Sequence, residues 1–268
     1  RHTSLGPALD KMLEHVSNET GGIAWGLTYH MVSLNEMFRV TKDPKYLAAN
    51  LRCIDAVLAA RDDVTGTKTW KGVVAPAWSS DKYAERGRAI FAVHTGFITY
   101  PMLDFALLVK NAPDVGEDLK ARVPAITEAV MQSLAWHDRQ WRDGPAEAEG
   151  HYFGIDQENI LENKPLPGNR LSAMGIALWT SWKVTGNETH RDRALALGRY
   201  IKNRLTVAPD GAYYWAYWLA EQPVTEQQPK EAIKGEDVSH AALTLALPLL
   251  LAEDGQVFAK EDMQRFAN

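Results

Sequence analysis

The chain has 268 residues, 46% of them aliphatic or aromatic and 24% charged, and it carries a net charge of −5. This is an ordinary globular composition with enough chain for one large domain, expected over residues 1–268; with no run of Lys and Arg it excludes a nucleic-acid-binding footprint. The one cysteine, Cys53, excludes an internal disulfide and a Cys-rich zinc site.

Helical periodicity dominates from the start. Apolar residues at 5, 9, 12, 13 and 16 lie on one helical face. Residues 22–40 form a long apolar helix, and Asp43-Pro44 opens the next one, which runs to about residue 60. Cys53 falls inside that amphipathic pattern and reads as a buried thiol. A second pair of helices is expected over 91–109 and 115–141, with Pro101 and Pro124 kinking or restarting them. A third pair covers 169–184 and 188–205, separated by Thr185-Gly186-Asn187, a helix stop followed by a cap. The fourth covers 236–251 and 260–267, and its second helix is short. Either the ring is open there or the chain stops before its natural C-terminal end.

No stretch reads as the roughly 18 consecutive apolar residues of a membrane span, so no membrane partner is expected. The most apolar run, residues 241–252, contains Pro248 and suits a buried core helix. The chain opens at Arg1 without an initiator Met or signal peptide, as a mature or trimmed chain would. The compartment stays open, with a periplasmic or secreted location favoured.

The four helix pairs share a register. Their turns at Thr41-Lys42-Asp43, Lys110-Asn111-Ala112, Thr185-Gly186-Asn187 and Ala252-Glu253-Asp254 superpose. Sixteen residues before each turn stand Trp25, His94, Asn169 and Glu236, at spacings of 69, 75 and 67 residues. One position later stand Gly26, Thr95, Arg170 and Asp237. A repeat of this length built from helical hairpins predicts a ring or arc with one end of every inner helix facing a common cleft. The long connections 62–88, 142–168 and 207–235 enter that same end and are rich in aromatics, among them Trp70, Trp78, Tyr83, Tyr152, Phe153, Tyr213, Tyr214, Trp215, Tyr217 and Trp218. Loops of this length are functional or disordered, and aromatic content argues against disorder. The plain alternative is a small core beneath the loops.

Three stretches resemble the α/α-toroid carbohydrate-active proteins, a group of polysaccharide lyases, uronyl hydrolases and sugar epimerases. They are the turns Thr41-Lys42-Asp43-Pro44-Lys45-Tyr46-Leu47 and Thr185-Gly186-Asn187-Glu188, and the segment 211–218 followed by Glu236-Asp237-Val238-Ser239-His240-Ala241. The resemblance implies an all-α toroid or partial toroid of about four helical hairpins with long aromatic loops at one end. It does not name a chemistry.

The candidate chemistry comes from the shared register. Asp237 is placed to cap a helix, and Glu236, Asp237 and His240 share a face, an acid–base set or else a cap beside a buried histidine. His94 and Tyr29 join them as candidate catalytic groups. Trp25, His30, Asn169 and Arg170 are candidate substrate contacts, with Arg170 suited to a bidentate carboxylate. Arg88, beside Arg86, would add positive potential, or would belong to a solvated charged turn. Trp78, Tyr214, Trp215 and Trp218 would stack on sugar faces. No close-spaced histidine pair, phosphate-cradling glycine loop or nucleophile elbow is present, so no metal and no cofactor are expected. The leading expectation is a lyase cleaving a uronic-acid-containing polysaccharide or oligosaccharide by β-elimination, with His94 or His240 as base. One alternative is a glycoside hydrolase pairing Glu236 or Asp237 with Asp156 or Glu158. Another is a non-catalytic glycan-binding protein.

Overall fold

The computed structural model describes residues 6–157, 161–219 and 235–268. After a short α1 (Gly6–Leu13), a π-helical turn (Ile23–Leu27) leads into α2 (Thr28–Thr41), which is followed by α3 (Lys45–Ala59) and a single turn, α4 (Asp62–Thr65). The second hairpin is α5 (Ala92–Asn111) and α6 (Glu117–Ala135). The third is α7 (Gly168–Thr185) and α8 (Glu188–Lys202). The fourth is α9 (Val238–Thr244) with α10 (Ala246–Glu253), then α11 (Lys260–Ala267). The inner helices follow one another in chain order: α2 packs on α5, α5 on α7, and α7 on α9 and α10. Among the described residues the fold is all-α, an arc of four helical hairpins of the α/α-toroid type. Two small antiparallel ribbons among the described residues decorate its loops, β1 (Trp141–Asp143) with β2 (Gly150–Tyr152) and β3 (Thr206–Val207) with β4 (Tyr213–Tyr214).

Local chemistry explains the boundaries. Gly186 stops α7 in the left-handed conformation (φ 75°), its N–H returning to the Trp182 carbonyl, and the Asn187 side chain caps α8 by accepting from the His190 N–H. The fourth inner helix, expected as one piece, is broken at Leu245. Pro248 has no N–H to offer the Thr244 carbonyl four residues back, and the Leu247 N–H is satisfied across the interface by Ser172 Oγ at 2.9 Å. Pro101 and Pro124 restart nothing: α5 and α6 run through both.

Helix α5 corrects one sequence expectation. By length and composition its 20 residues match a membrane span, yet 83% of its apolar window is buried, as in a core helix. It is flanked by α2, α6 and α7, which is why it is apolar nearly all round. Its approach to α7 is so close that a Cβ on Gly96 would lie 2.4 Å from the Ala173 carbonyl oxygen. Cys53 is fully buried in the core, and burial pushes its thiol up to about 11.

Candidate functional site

The N-terminal ends of the inner helices form a mouth. Trp25 sits in the π-turn above α2, a widened turn of a kind that recurs at functional sites. The turn is held by Thr28 Oγ1 donating to the Ile23 carbonyl at 3.0 Å. The Trp25 ring packs edge-on to His94 at 5.5 Å and tilted on Phe97 at 5.4 Å. Tyr29, one turn further on and half exposed, stands 6.5 Å from Phe97. The loop before α5 adds Tyr83, 5.7 Å from His94 and 5.6 Å from Phe91.

Arg170 enters from α7. Its guanidinium lies over the Tyr83 ring at 5.3 Å and the Phe91 ring at 5.9 Å. The side chain is 9% exposed, its Nη1 has no hydrogen-bond partner, and no carboxylate among the described residues pairs with it. Burial pulls it below the ordinary guanidinium value, and the Tyr217 and Tyr83 phenols beside it oppose that shift. Asn169, its neighbour, is also buried, with Oδ1 unpartnered. The N-termini of α5 and α7 carry no side-chain cap, so their free N–H groups add to a positive field suited to an anion.

α9 supplies a dyad. Asp237 Oδ1 caps the helix by accepting from the Ser239 and His240 N–H groups at 3.0 and 3.1 Å, and its Oδ2 meets His240 Nδ1 at 2.5 Å. Hydrogen bonds from Ser239 and then His240 hold the Asp237 carboxyl well below the usual range. The carboxylate accepts the Nδ1 proton, which leaves the lone pair of His240 Nε2 free. Tyr217 lies edge-on to His240 at 5.2 Å, with its phenol against Arg170. It thereby connects the dyad to the buried cation.

His94 is fully buried, and its tautomer is set by its neighbour. Asn18 Oδ1 accepts from the Ala24 N–H at 3.1 Å while Asn18 Nδ2 donates to the Trp78 carbonyl at 2.9 Å. These two backbone bonds fix which end of the amide is NH2. The second NH2 hydrogen therefore points at His94 Nδ1, 3.2 Å away, and Nδ1 must be the acceptor. Burial first, then Arg170 and Lys82, push this imidazole down to about 3, so it is neutral and carries its proton on Nε2. With neither lone pair available, His94 is not the base that the sequence reading allowed.

Other expected residues lie elsewhere. Trp78 is in the core, 1% exposed, its indole N–H donating to the Val57 carbonyl at 2.7 Å, so no sugar reaches its face. Arg88 is tied to the Ser79 side chain and carbonyl, both at 3.1 Å. His30 lines a groove beside Met12, His15 and Val16, outside the mouth. Tyr214 belongs to β4 and faces Gly235. Trp218 meets Tyr217 edge-on at 5.4 Å. Glu236 Oε2 accepts from the Trp215 indole at 2.5 Å, and burial raises its carboxyl; the pair pins the aromatic loop to the start of α9. Asp156 is held by Lys71 and Arg139, and Glu158 lies outside the described residues. Among the described residues, Asp156 is thus engaged by two cations rather than left free to face Glu236 or Asp237. The residues missed by sequence reasoning are Tyr83, Tyr217 and Asn18. The first two were visible only as loop aromatics, and Asn18 gave no signal.

Fold and mouth together define an α/α-toroid-type arc with a polar, aromatic end. No known family profile matches the chain, and no curated protein matches it. Among solved structures it is similar to that of cellobiose 2-epimerase from Spirochaeta thermophila DSM 6192, with a TM-score of 0.44 and 14% identity over 88% of this chain and 50% of that one. The chain thus spans half the length of that protein.

Proposed function

We propose that the protein is a carbohydrate-active enzyme, a lyase that cleaves a uronic-acid-containing glycan by β-elimination. The observation that carries this reading is Arg170, a buried guanidinium without an acid, joined through Tyr217 to the Asp237–His240 dyad. A substrate carboxylate would supply the missing partner, and a desolvated charge pair of that kind is strong and orienting.

The chemistry balances with groups at the mouth. Arg170 neutralises the uronate carboxylate, which acidifies the proton on C5. His240 Nε2 takes that proton, with Asp237 stabilising the imidazolium. The electron pair left on C5 spreads into the carboxylate and then forms the C4=C5 double bond as the C4–O bond breaks. The departing oxygen takes a proton from the Tyr217 phenol, with Tyr29 across the mouth as the second phenol in reach of a bound chain. The products are a new reducing end and an unsaturated uronide.

The test is incubation with a panel of uronic-acid polysaccharides, following the ultraviolet absorbance of the unsaturated product and the reducing ends together. Both should rise. Reducing ends without absorbance would overturn the lyase in favour of a hydrolase, and binding without either would favour a glycan-binding protein.

A further inference from the structure

We infer that His94 is a neutral hydrogen-bond donor which, together with Arg170, holds an anionic oxygen of the ligand at the mouth. The inference rests on the reading of the mouth as an acidic-saccharide site. Its own support is geometric. The Asn18 amide is oriented by two backbone partners, Ala24 N–H and the Trp78 carbonyl, so His94 presents Nε2–H and never a lone pair. That N–H is buried and has no acceptor. Leaving such a donor unmet costs stability, which a phenylalanine in the same aromatic surroundings would avoid.

The second unmet donor is Arg170 Nη1. Both side chains flank the same two rings: Phe91 and Tyr83 lie 5.3 and 5.7 Å from His94, and 5.9 and 5.3 Å from the Arg170 guanidinium. Three N–H donors without acceptors, His94 Nε2, Arg170 Nη1 and the indole of Trp25 packed edge-on to His94, border this aromatic box and suit a carboxylate, which only accepts, while the unpartnered Oδ1 of Asn169 beside Arg170 is left for a hydroxyl of the same sugar. A neutral imidazole serves better than a charged one here, because an imidazolium would repel Arg170 and surrender the selectivity of the pair. In the elimination, negative charge moves from C5 onto the carboxylate oxygens. Donors already aimed at those oxygens strengthen as it develops. His94 transfers no proton in this role; His240 remains the base.

The experiment is NMR of the whole protein labelled with nitrogen-15 in histidine, titrated from about pH 8 to 5, the range where an unperturbed imidazole charges. His94 should keep the Nε2–H tautomer throughout. Glucuronate should move its Nε2–H resonance, and glucose at equal concentration should not. An Nδ1–H tautomer, an imidazolium within that range, or a resonance indifferent to glucuronate would each overturn the inference. If glucuronate moves the resonance while no acidic polysaccharide is cleaved, the donor pair stands and the lyase reading falls. As a second measure, His94→Phe should weaken glucuronate binding about tenfold or more, and His94→Gln, which keeps an N–H, should lose less. Equal affinity in His94→Phe and the parent would overturn the donor role. If His94→Phe does not fold, the spectra of the unaltered protein decide.

Discussion

The two ends of the inner helices treat their buried polar groups in different ways. At the C-terminal end, residues from α2, α5, α7 and α10 line a cavity of about 520 Å³, and most of the ionised groups there are paired. Arg39 binds both Glu36 and Asp104, Asp104 accepts from Asn35 at 2.7 Å, and Asp254 takes Lys183 and the Trp179 indole. At the N-terminal end Arg170 and His94 are buried with donors unmet. A closed network stabilises a fold, whereas unmet buried donors cost stability and persist where a ligand completes them.

The largest effect expected is at the dyad. His240→Gln should lower turnover by about 10²–10⁴-fold, the usual worth of a general base, with thermal unfolding unchanged because the side chain is partly exposed and caps nothing. Retained turnover would remove α9 from the chemistry.

Next is a paired substitution that sets the two ends against each other. Arg39→Met strands the buried Asp104 carboxylate and should cost about 3 kcal/mol in denaturant unfolding. Arg170→Met removes a buried cation that has no acid and should leave stability unchanged or raised, while abolishing turnover of acidic glycans. Equal destabilisation by both would erase the contrast.

Gly96→Ala should destabilise by about 1–3 kcal/mol, since the added carbon meets the Ala173 carbonyl, which cannot rotate away. Chemical denaturation measures it, and a neutral result would mean that α5 and α7 separate easily.

Residue by residue, the smallest effects are those of acid. Burial is the first cause that pushes His94 down to about 3 and His137 and His190 to about 4. Each folded value lies below the unfolded one near 6.5, so the stability each contributes is whole above that value and is lost as pH falls toward 4. By pH 5 the loss should be about 1–2 kcal/mol per histidine. Melting temperatures between pH 8 and 5 would show it, and His137→Gln should flatten part of the slope. A flat profile in the parent would mean these imidazoles charge without cost.

Much of the fold was legible because helices are local. Gly186 and Asn187 ended one helix and began the next by chemistry confined to a few residues, and the shared register put Trp25, His94, Asn169 and Glu236 at helix starts, where the structure has them. Asp237 was legible as a cap for the same reason. The break at Leu245 was readable in principle from Pro248, but the Ser172 hydroxyl that makes it tolerable lies 75 residues away.

What only the tertiary structure decided is the state of each side chain at the mouth. The sequence by itself determined hairpins, caps and the end of the arc toward which the registered residues face, since these follow from backbone hydrogen bonding and periodicity. It did not determine that Trp78 is core, that Tyr217 bridges Arg170 to His240, or that Asn18, 76 residues from His94, sets that imidazole's tautomer. Burial, charge state and hydrogen-bond partner depend on which distant segments exclude water from a group, and no spacing along the chain encodes that.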